Sequence, residues 1–195
     1  VDICLFNGFG SDETGTYQWR WDRSPLNDAN NVQPGVGTKR DYFCTLEEPA
    51  LVRYQRAYVR KLVAELNPYD NLIYDVADEP DYFSMIDEKK VNPWVSEMMN
   101  QIIETEKTLP RMHLIAETFH RSLEKGGKKW GADPRTTWIS VEYTVGLDAF
   151  DSQYAYNKPY VLIETTTPVL NPLGFWGFEY GVESSRIHAW PFMVA

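Results

Sequence analysis

Cysteine and histidine are scarce in this sequence. The 195 residues include two cysteines, Cys4 and Cys44, and three histidines, His113, His120 and His188. Two cysteines are too few for a disulfide scaffold, and neither they nor the scattered histidines have the spacing of metal ligands. We therefore expect neither a bound metal nor a cofactor.

Long hydrophobic runs and an excess of basic residues are also missing. No stretch approaches the roughly 20 apolar residues of a membrane span, and none has the basic start and apolar centre of a signal peptide. The formal net charge is −9, whereas binding to a nucleic-acid backbone calls for clustered lysine and arginine. The sequence therefore predicts no membrane span and no nucleic-acid partner, and it favours a neutral or cationic substrate.

Aromatic residues, in contrast, make up 14% of the chain. Flat aromatic faces suit the stacking of sugar rings, although most of these rings could equally fill the core. Residues 8–44 are rich in Gly, Asn, Asp and Pro, and a loop of that length in a compact domain is usually functional. We predict that Tyr17, Trp19 and Trp21 of this loop contact the substrate. The alternative is that the loop folds onto a small core of its own.

Four apolar stretches each run directly into a glutamate. They are NLIYDVADEP, MHLIAET, TTWISVEY and YVLIETTTP, which lead to Glu79, Glu117, Glu142 and Glu164. An apolar run followed at once by an acid is typical of a buried parallel strand that presents a side chain at the carboxyl edge of a sheet. Enzymes with α/β barrels hold their active sites at that edge. The sequence therefore predicts a cluster of carboxylates there.

Helical patterns separate these strands. After the opening strand VDICLF, either Thr45 and Glu48 form a capping box, or Glu48 caps a helix with Pro49 at its first position. The predicted apolar stripe of this helix consists of Leu51, Val52, Tyr54, Tyr58, Val59, Leu62, Val63 and Leu66. Asn92 and Pro93 are predicted to open a second helix with the Met98 and Met99 pair in the core. The alternation predicts an α/β fold with a parallel sheet.

The residues also resemble a known family. The stretch QRAYVRKLVAELNPYDNLIYDVADEP resembles the third helix and fourth strand of clan A (β/α)8 glycoside hydrolases, especially the cellulase-like family 5 group and its uncharacterised relatives. HLIAET, TTWISVEY and NKPYVLIETT are similar to strands five, six and seven of that family. The resemblance implies a single TIM-barrel domain over residues 1–195, apparently partial, with strands three to seven present. Because open strand edges promote association, we expect a further chain segment or an oligomer to cover them.

The resemblance also implies roles for individual residues. Glu79 matches the general acid/base and Glu164 the nucleophile of a retaining glycosidase, which needs two carboxyl groups about 5 to 5.5 Å apart. Tyr143 would orient the nucleophile, and Glu142 and Asp78 would lie at the substrate. The implied partner is a polysaccharide or oligosaccharide. The sequence leaves the compartment open, although the family resemblance is compatible with a secreted or periplasmic enzyme.

One position departs from the family pattern. Asp78 stands where the family usually has asparagine, and an ionised carboxylate accepts hydrogen bonds but donates none. Its charge beside Glu79 and Glu164 also raises the free energy of ionising all three groups. A non-catalytic carbohydrate-binding or structural barrel relative is therefore the first alternative. An unrelated α/β hydrolase with an acidic metal cluster is the second.

Overall fold

The computed structural model describes residues 1–7, 21–78, 80, 88–120, 132–142 and 156–164. Its helices and strands, in chain order, are β1 (Asp2–Asn7), a short 3-10 helix (Arg40–Tyr42), α1 (Pro49–Leu66), β2 (Ile73–Asp78), α2 (Glu88–Glu106), β3 (Leu114–Ala116), β4 (Thr118–His120), β5 (Ile139–Glu142) and β6 (Tyr160–Glu164). Among the described residues, no helix is long and apolar enough to cross a membrane.

All paired strands run parallel, and neighbours follow one another in chain order. β1 pairs with β2 and β2 with β3, while β4 pairs with β5 and β5 with β6. β3 and β4 are halves of one extended segment that is interrupted at Glu117, and the Thr137 N–H donates to the Ile115 carbonyl at 2.8 Å. This segment therefore has β2 on one side and the β5 strand on the other. The predicted parallel pairing is confirmed for these strands, and closure into a barrel stays a prediction.

The two helices pack against each other and against one face of β1, β2 and β3. The shared core includes Val59, Val63, Tyr74, Val76, Trp94, Val95, Met98, Met99, Ile102 and Ile115. Burying one large apolar side chain contributes about 1.5 to 3 kcal/mol relative to leaving it exposed. The predicted core position of Met98 and Met99 is confirmed, since both are completely buried.

The buried stripe of α1 differs from the prediction. Tyr54 and Tyr58 are 44% and 42% exposed, whereas Gln55 is buried beside the valines. The Gln55 Nε2 donates to the Phe43 carbonyl at 2.8 Å, and its Oε1 accepts from Trp94 Nε1 at 2.9 Å. Because both ends of the amide are hydrogen-bonded, its burial leaves no polar group unsatisfied. The tyrosines keep their polar tips toward solvent instead.

The observed start of α1 decides between the two predicted N-terminal caps, and the start of α2 differs from the prediction. Glu48 is the N-cap of α1 with Pro49 at the first position, and the Glu48 side chain makes no capping hydrogen bond. The Thr45 hydroxyl accepts from the Glu47 N–H at 3.2 Å and lies three residues before the N-cap, so the capping box with Glu48 does not form. The predicted start of α2 at Asn92 is wrong, because the helix includes Glu88 and holds Pro93 in its second turn. Pro93 lacks the N–H that would bond to the Lys89 carbonyl, and the helix nevertheless continues past it.

Candidate functional site

The strand register aligns polar residues at the carboxyl ends of the strands. Asn7 of β1 pairs with Asp78 of β2, His120 of β4 pairs with Glu142 of β5, and Glu142 pairs with Glu164 of β6. The strands form two three-stranded parallel sheets in which β3 and β4 are halves of one segment, so all of these carboxyl ends point in the same direction. We call these five residues the carboxyl-edge row. Ligands of α/β proteins bind at this edge of the sheet.

Two of the predicted site residues lie beside each other in this row. Glu142 and Glu164 are the last residues of β5 and β6 and are paired across the ladder. The register shifts between Val141 and Glu142, so that Ile163 is an extra residue and Glu164 rather than Ile163 stands opposite Glu142. Bulges of this kind redirect side chains and are enriched next to active sites.

Other predicted site residues fall outside the part of the chain that the structure describes. These residues are Tyr17, Trp19, Glu79 and Tyr143. Glu79 follows directly on Asp78, the last residue of β2. The separation between the Glu79 and Glu164 carboxyl groups, which would distinguish retaining from inverting chemistry, therefore stays a prediction.

Asp78 is half-buried and is held by a neighbour on β1. The Asn7 Nδ2 donates to Asp78 Oδ2 at 3.0 Å. Sequence reasoning missed Asn7, because Asn7 and Gly8 are together typical of a turn after VDICLF. The signal was its place as the last residue of an apolar strand, which is the same signal that identified the glutamates. The sequence pattern does not identify His120 either, because the three histidines have no metal-ligand spacing and no other signal marks this one.

Glu117 does not lie at the edge that the sequence predicted for it. β3 ends directly before Glu117, but β4 continues the same segment for three residues to His120. Glu117 is therefore buried at the break between β3 and β4, with 1% exposure. Burial, followed by the negative charge of Glu117, raises the pKa of the Cys44 thiol. Cys44 is thus a neutral core residue and not a nucleophile.

A buried polar cluster lies below the row, on three neighbouring strands. Its members are Asp75, Thr118 and Ser140, which are at most 2% exposed. Tyr74 and Val76 belong to the helix-facing core. Because side chains alternate along a strand, Asp75 lies on the opposite face of the sheet. That face is polar at this level, whereas the face under the helices is apolar.

Hydrogen bonds connect the three members of this cluster. The Thr118 N–H donates to Asp75 Oδ1 at 3.1 Å, and the Thr118 hydroxyl shares a hydrogen bond with Asp75 Oδ2. The Thr118 and Ser140 hydroxyl oxygens are 3.1 Å apart. The sequence pattern does not identify Asp75, because this residue lies inside the run NLIYDVAD, which is typical of an apolar strand that ends in acids.

The electrostatics of this cluster favour a neutral carboxyl group. Burial raises the pKa of Asp75 to about 8, and the hydrogen bonds from Thr118 oppose that shift. The charges of Asp2 and Asp78 raise this pKa further. Asp75 is therefore a protonated acid at neutral pH. Cys4 is exposed, but partial desolvation, followed by the charges of Asp75, Asp78 and Glu117, likewise raises the pKa of its thiol. The cysteine beside this cluster is therefore not a thiolate.

Trp21 has a buried side chain in the described part of the long loop. It is 7% exposed, and its ring centroid lies 6.1 Å from that of Phe43. The Asn27 Nδ2 donates to the Trp21 carbonyl at 3.1 Å. This packing favours the alternative in which the loop folds onto a core. Contact between Trp21 and a sugar stays a prediction.

Searches for similar proteins add no family to this description. No protein-family model matches the sequence, and no curated protein or solved structure is detectably similar to it. Within the described ranges, no group of three or more His, Cys, Asp or Glu residues could hold a metal ion.

Proposed function

We propose that this chain is a retaining glycoside hydrolase that cleaves O-glycosidic bonds in a polysaccharide or oligosaccharide. The supporting observation is the position of Glu164 as the last residue of β6, level with Glu142 in the carboxyl-edge row. Barrel enzymes take their catalytic residues from the ends of several different strands. The family resemblance of the strand motifs around Glu79 and Glu164 supports the same assignment.

The reaction is a double displacement by two glutamates. Glu164 attacks the anomeric carbon and forms a covalent glycosyl-enzyme, while Glu79 gives its proton to the departing oxygen. Glu79 then removes a proton from the water that hydrolyses the intermediate. Nearby negative charge, including that of Asp78, disfavours ionisation of the acid and so helps to keep Glu79 protonated before the first step.

A non-catalytic carbohydrate-binding or structural relative is the second candidate. The observation that favours it is the bond between Asn7 and Asp78, which engages Asp78 with the protein at the position where the family usually has asparagine. In such a relative the edge would bind sugar, but no glycosyl-enzyme would form. Binding and turnover therefore have to be measured separately.

Substitution of the two glutamates tests the proposal. Glu164→Gln should abolish turnover of aryl glycosides and oligosaccharides, because an amide is not a nucleophile toward the anomeric carbon. Glu79→Ala should retain activity on substrates with good leaving groups and should be rescued by azide, which attacks the glycosyl-enzyme in place of water, releases Glu164 and needs no general base.

Glu65→Gln is the matched control, since Glu65 lies on α1 with its side chain 71% exposed. It should leave turnover unchanged. Near wild-type activity of Glu164→Gln would show that the nucleophile is wrongly assigned. Sugar binding without turnover by the wild-type chain would instead support the non-catalytic relative.

A further inference from the structure

A side chain replaces the backbone ladder between β2 and the next strand. The β2–β3 ladder includes the pair Asp75 and Ala116 and goes no further. Two residues later the Thr118 N–H donates to the Asp75 carboxyl group at 3.1 Å. A carboxyl group thus joins the two strands directly below the carboxyl-edge row, where parallel strands would otherwise be joined by their backbones.

We infer that Asp75 is a positioning residue for the carboxyl-edge row, which it holds in place through Thr118 of β4 and Ser140 of β5. His120 lies two residues after Thr118, and Glu142 lies two residues after Ser140. Movement of the Asp75 carboxyl group therefore reaches two members of the row along their own strands. Insofar as the row is catalytic, this inference rests on the proposed function.

The hydrogen bonds allow two proton arrangements. When Asp75 is protonated, its O–H donates to the Thr118 hydroxyl oxygen, which can donate in turn to Ser140. When Asp75 is ionised, the Thr118 hydroxyl must donate to Asp75 Oδ2, and Ser140 must donate to Thr118. The hydroxyl groups can adopt either direction because each is both donor and acceptor. Ionisation therefore reverses the whole chain of hydrogen bonds and leaves the N–H bond of Thr118 in place.

The surroundings of Asp75 determine which arrangement is present. Cys4 of β1 is its register partner, and the charges that act on Asp75 come from Asp2 on β1 and Asp78 on β2. Both charges disfavour ionisation. The charges of Glu117 and Asp75 both raise the pKa of the Cys4 thiol, so the ionisation of one acidic group in this region disfavours ionisation of its neighbours. Since the pKa of Asp75 is about 8, the neutral arrangement holds at neutral pH and the ionised arrangement appears above it.

The raised pKa also predicts a pH dependence of folding. Asp75 has an ordinary value of 3.8 when unfolded, so between that value and about 8 the folded chain holds a proton that the unfolded chain releases. Stability contributed by this group is therefore greatest at low pH and is lost as the pH rises toward 8. Asp75→Asn mimics the neutral acid and cannot titrate. Its unfolding should lack this decline, with a difference of about one linked proton between the two proteins.

Backbone amide shifts measured by NMR between pH 6 and 9.5 test the inference without any substrate. We expect the Thr118 amide to titrate with a midpoint near 8, and the His120 and Glu142 amides to follow with the same midpoint. All three transitions should vanish in Asp75→Asn. A Thr118 transition that survives in Asp75→Asn would overturn the inference. A Thr118 transition that is not shared by His120 and Glu142 would also overturn it, because Asp75 would then act only locally.

Three further variants keep the test decisive if Asp75→Asn folds poorly. Thr118→Val removes a hydrogen bond that lowers the pKa of Asp75, so the midpoint should move to higher pH. Asp2→Asn removes a charge that raises it, so the midpoint should move to lower pH. Ser140→Ala, which makes no direct contact with the carboxyl group, should shift the midpoint least. Equal midpoints in Thr118→Val and Asp2→Asn would refute the assignment of the titration to Asp75.

Turnover then separates this inference from the proposed function. Thr118→Val should lower kcat about tenfold with KM nearly unchanged, because a small displacement of catalytic groups slows chemistry more than binding. If the wild-type chain hydrolyses sugars and Thr118→Val has the same kcat as the wild type, the positioning role is overturned. If the wild-type chain hydrolyses no sugar while the amide titrations appear as described, the proposed function fails and the role of Asp75 in holding the row stands.

Discussion

The two ends of the parallel strands place their acids beside different neighbours. At the amino end, Glu106 of α2 accepts from the backbone N–H of His113 at 2.9 Å, and one of its oxygens lies 2.5 Å from His113 Nδ1. The other ring nitrogen of His113 lies 2.6 Å from the Tyr69 carbonyl oxygen. At the carboxyl end, the register instead places Glu142 opposite Glu164.

A second pair at the amino end follows the same pattern. The Arg135 guanidinium donates to both carboxyl oxygens of Asp133, at 2.9 and 2.6 Å, and these hydrogen bonds hold the pKa of Asp133 below its ordinary value. Lys158, just before β6, donates to the Asp133 carbonyl at 2.5 Å. Each acid named here has a cationic or hydrogen-bonding partner from another part of the chain or from a neighbouring turn.

The difference supports the proposal that the amino end serves stability and the carboxyl end serves chemistry. Partnered buried acids hold elements together, whereas acids placed beside acids oppose folding and are characteristic of sites where pKa values are tuned. Natural sequences depart from locally favourable choices mainly at functional sites. The comparison therefore predicts that substitutions at the amino end change stability and that those at the carboxyl end change function.

The largest expected effect on stability is at the amino end. Glu106→Ala removes the acceptor of two hydrogen bonds from His113. The buried backbone N–H and ring Nδ1 of His113 then lack that acceptor. We expect the free energy of unfolding in urea to fall by about 3 to 5 kcal/mol, as for other broken buried pairs. Glu104→Ala is the control, because its side chain is 63% exposed and forms an ion pair with Lys107 at the surface. It should change stability by less than about 0.5 kcal/mol. Similar losses in both variants would contradict the comparison.

Local patterns in the sequence predicted much of this arrangement. The ends of β2, β5 and β6 could be read from apolar runs that stop at acids, and the start of α1 from Pro49 after Glu48. Both signals are local, since they depend on residues that are adjacent in the chain. The backbone position of Glu164 at the edge follows from the same signal.

Other features depend on distant partners and could not be predicted in this way. Gln55 is buried because Phe43 and Trp94 satisfy its amide, and Trp94 is 39 residues away in sequence. Asp75 is accommodated inside a strand by Thr118, at a separation of 43 residues. Periodicity scores a polar residue by its type and not by its partners. It therefore places the tyrosines of α1 in the core and overlooks the glutamine.

Trp21 tests whether residues near the carboxyl end serve function, because it belongs to the loop that follows β1. Trp21→Ala should lower the free energy of unfolding by about 3 kcal/mol, since it removes a buried ring from contact with Phe43. Oligosaccharide affinity, measured by calorimetry well below the unfolding temperature, should change little. Val32→Ala, at a position that is 93% exposed in the same loop, should affect neither quantity. A large loss of affinity with unchanged stability would instead make Trp21 part of the sugar-binding surface.

The smallest expected effect is at Glu142, where the informative result is the direction in which the free energy of unfolding changes. Glu142→Gln removes one of two acids at paired positions on neighbouring strands, and like charges at such positions are destabilising. We expect the free energy of unfolding at pH 7 to rise by about 0.5 kcal/mol, with a smaller loss of turnover than Glu164→Gln produces.

The control is Glu65→Gln on α1, where Glu65 lies 3.1 Å from Lys61. That variant should lose about 0.3 kcal/mol, because an attraction is removed instead of a repulsion. Repeating both measurements in 1 M salt should shrink both differences. A decrease in stability for Glu142→Gln equal to that of the control would mean that a partner stabilises Glu142, as Lys61 stabilises Glu65, and would contradict the comparison.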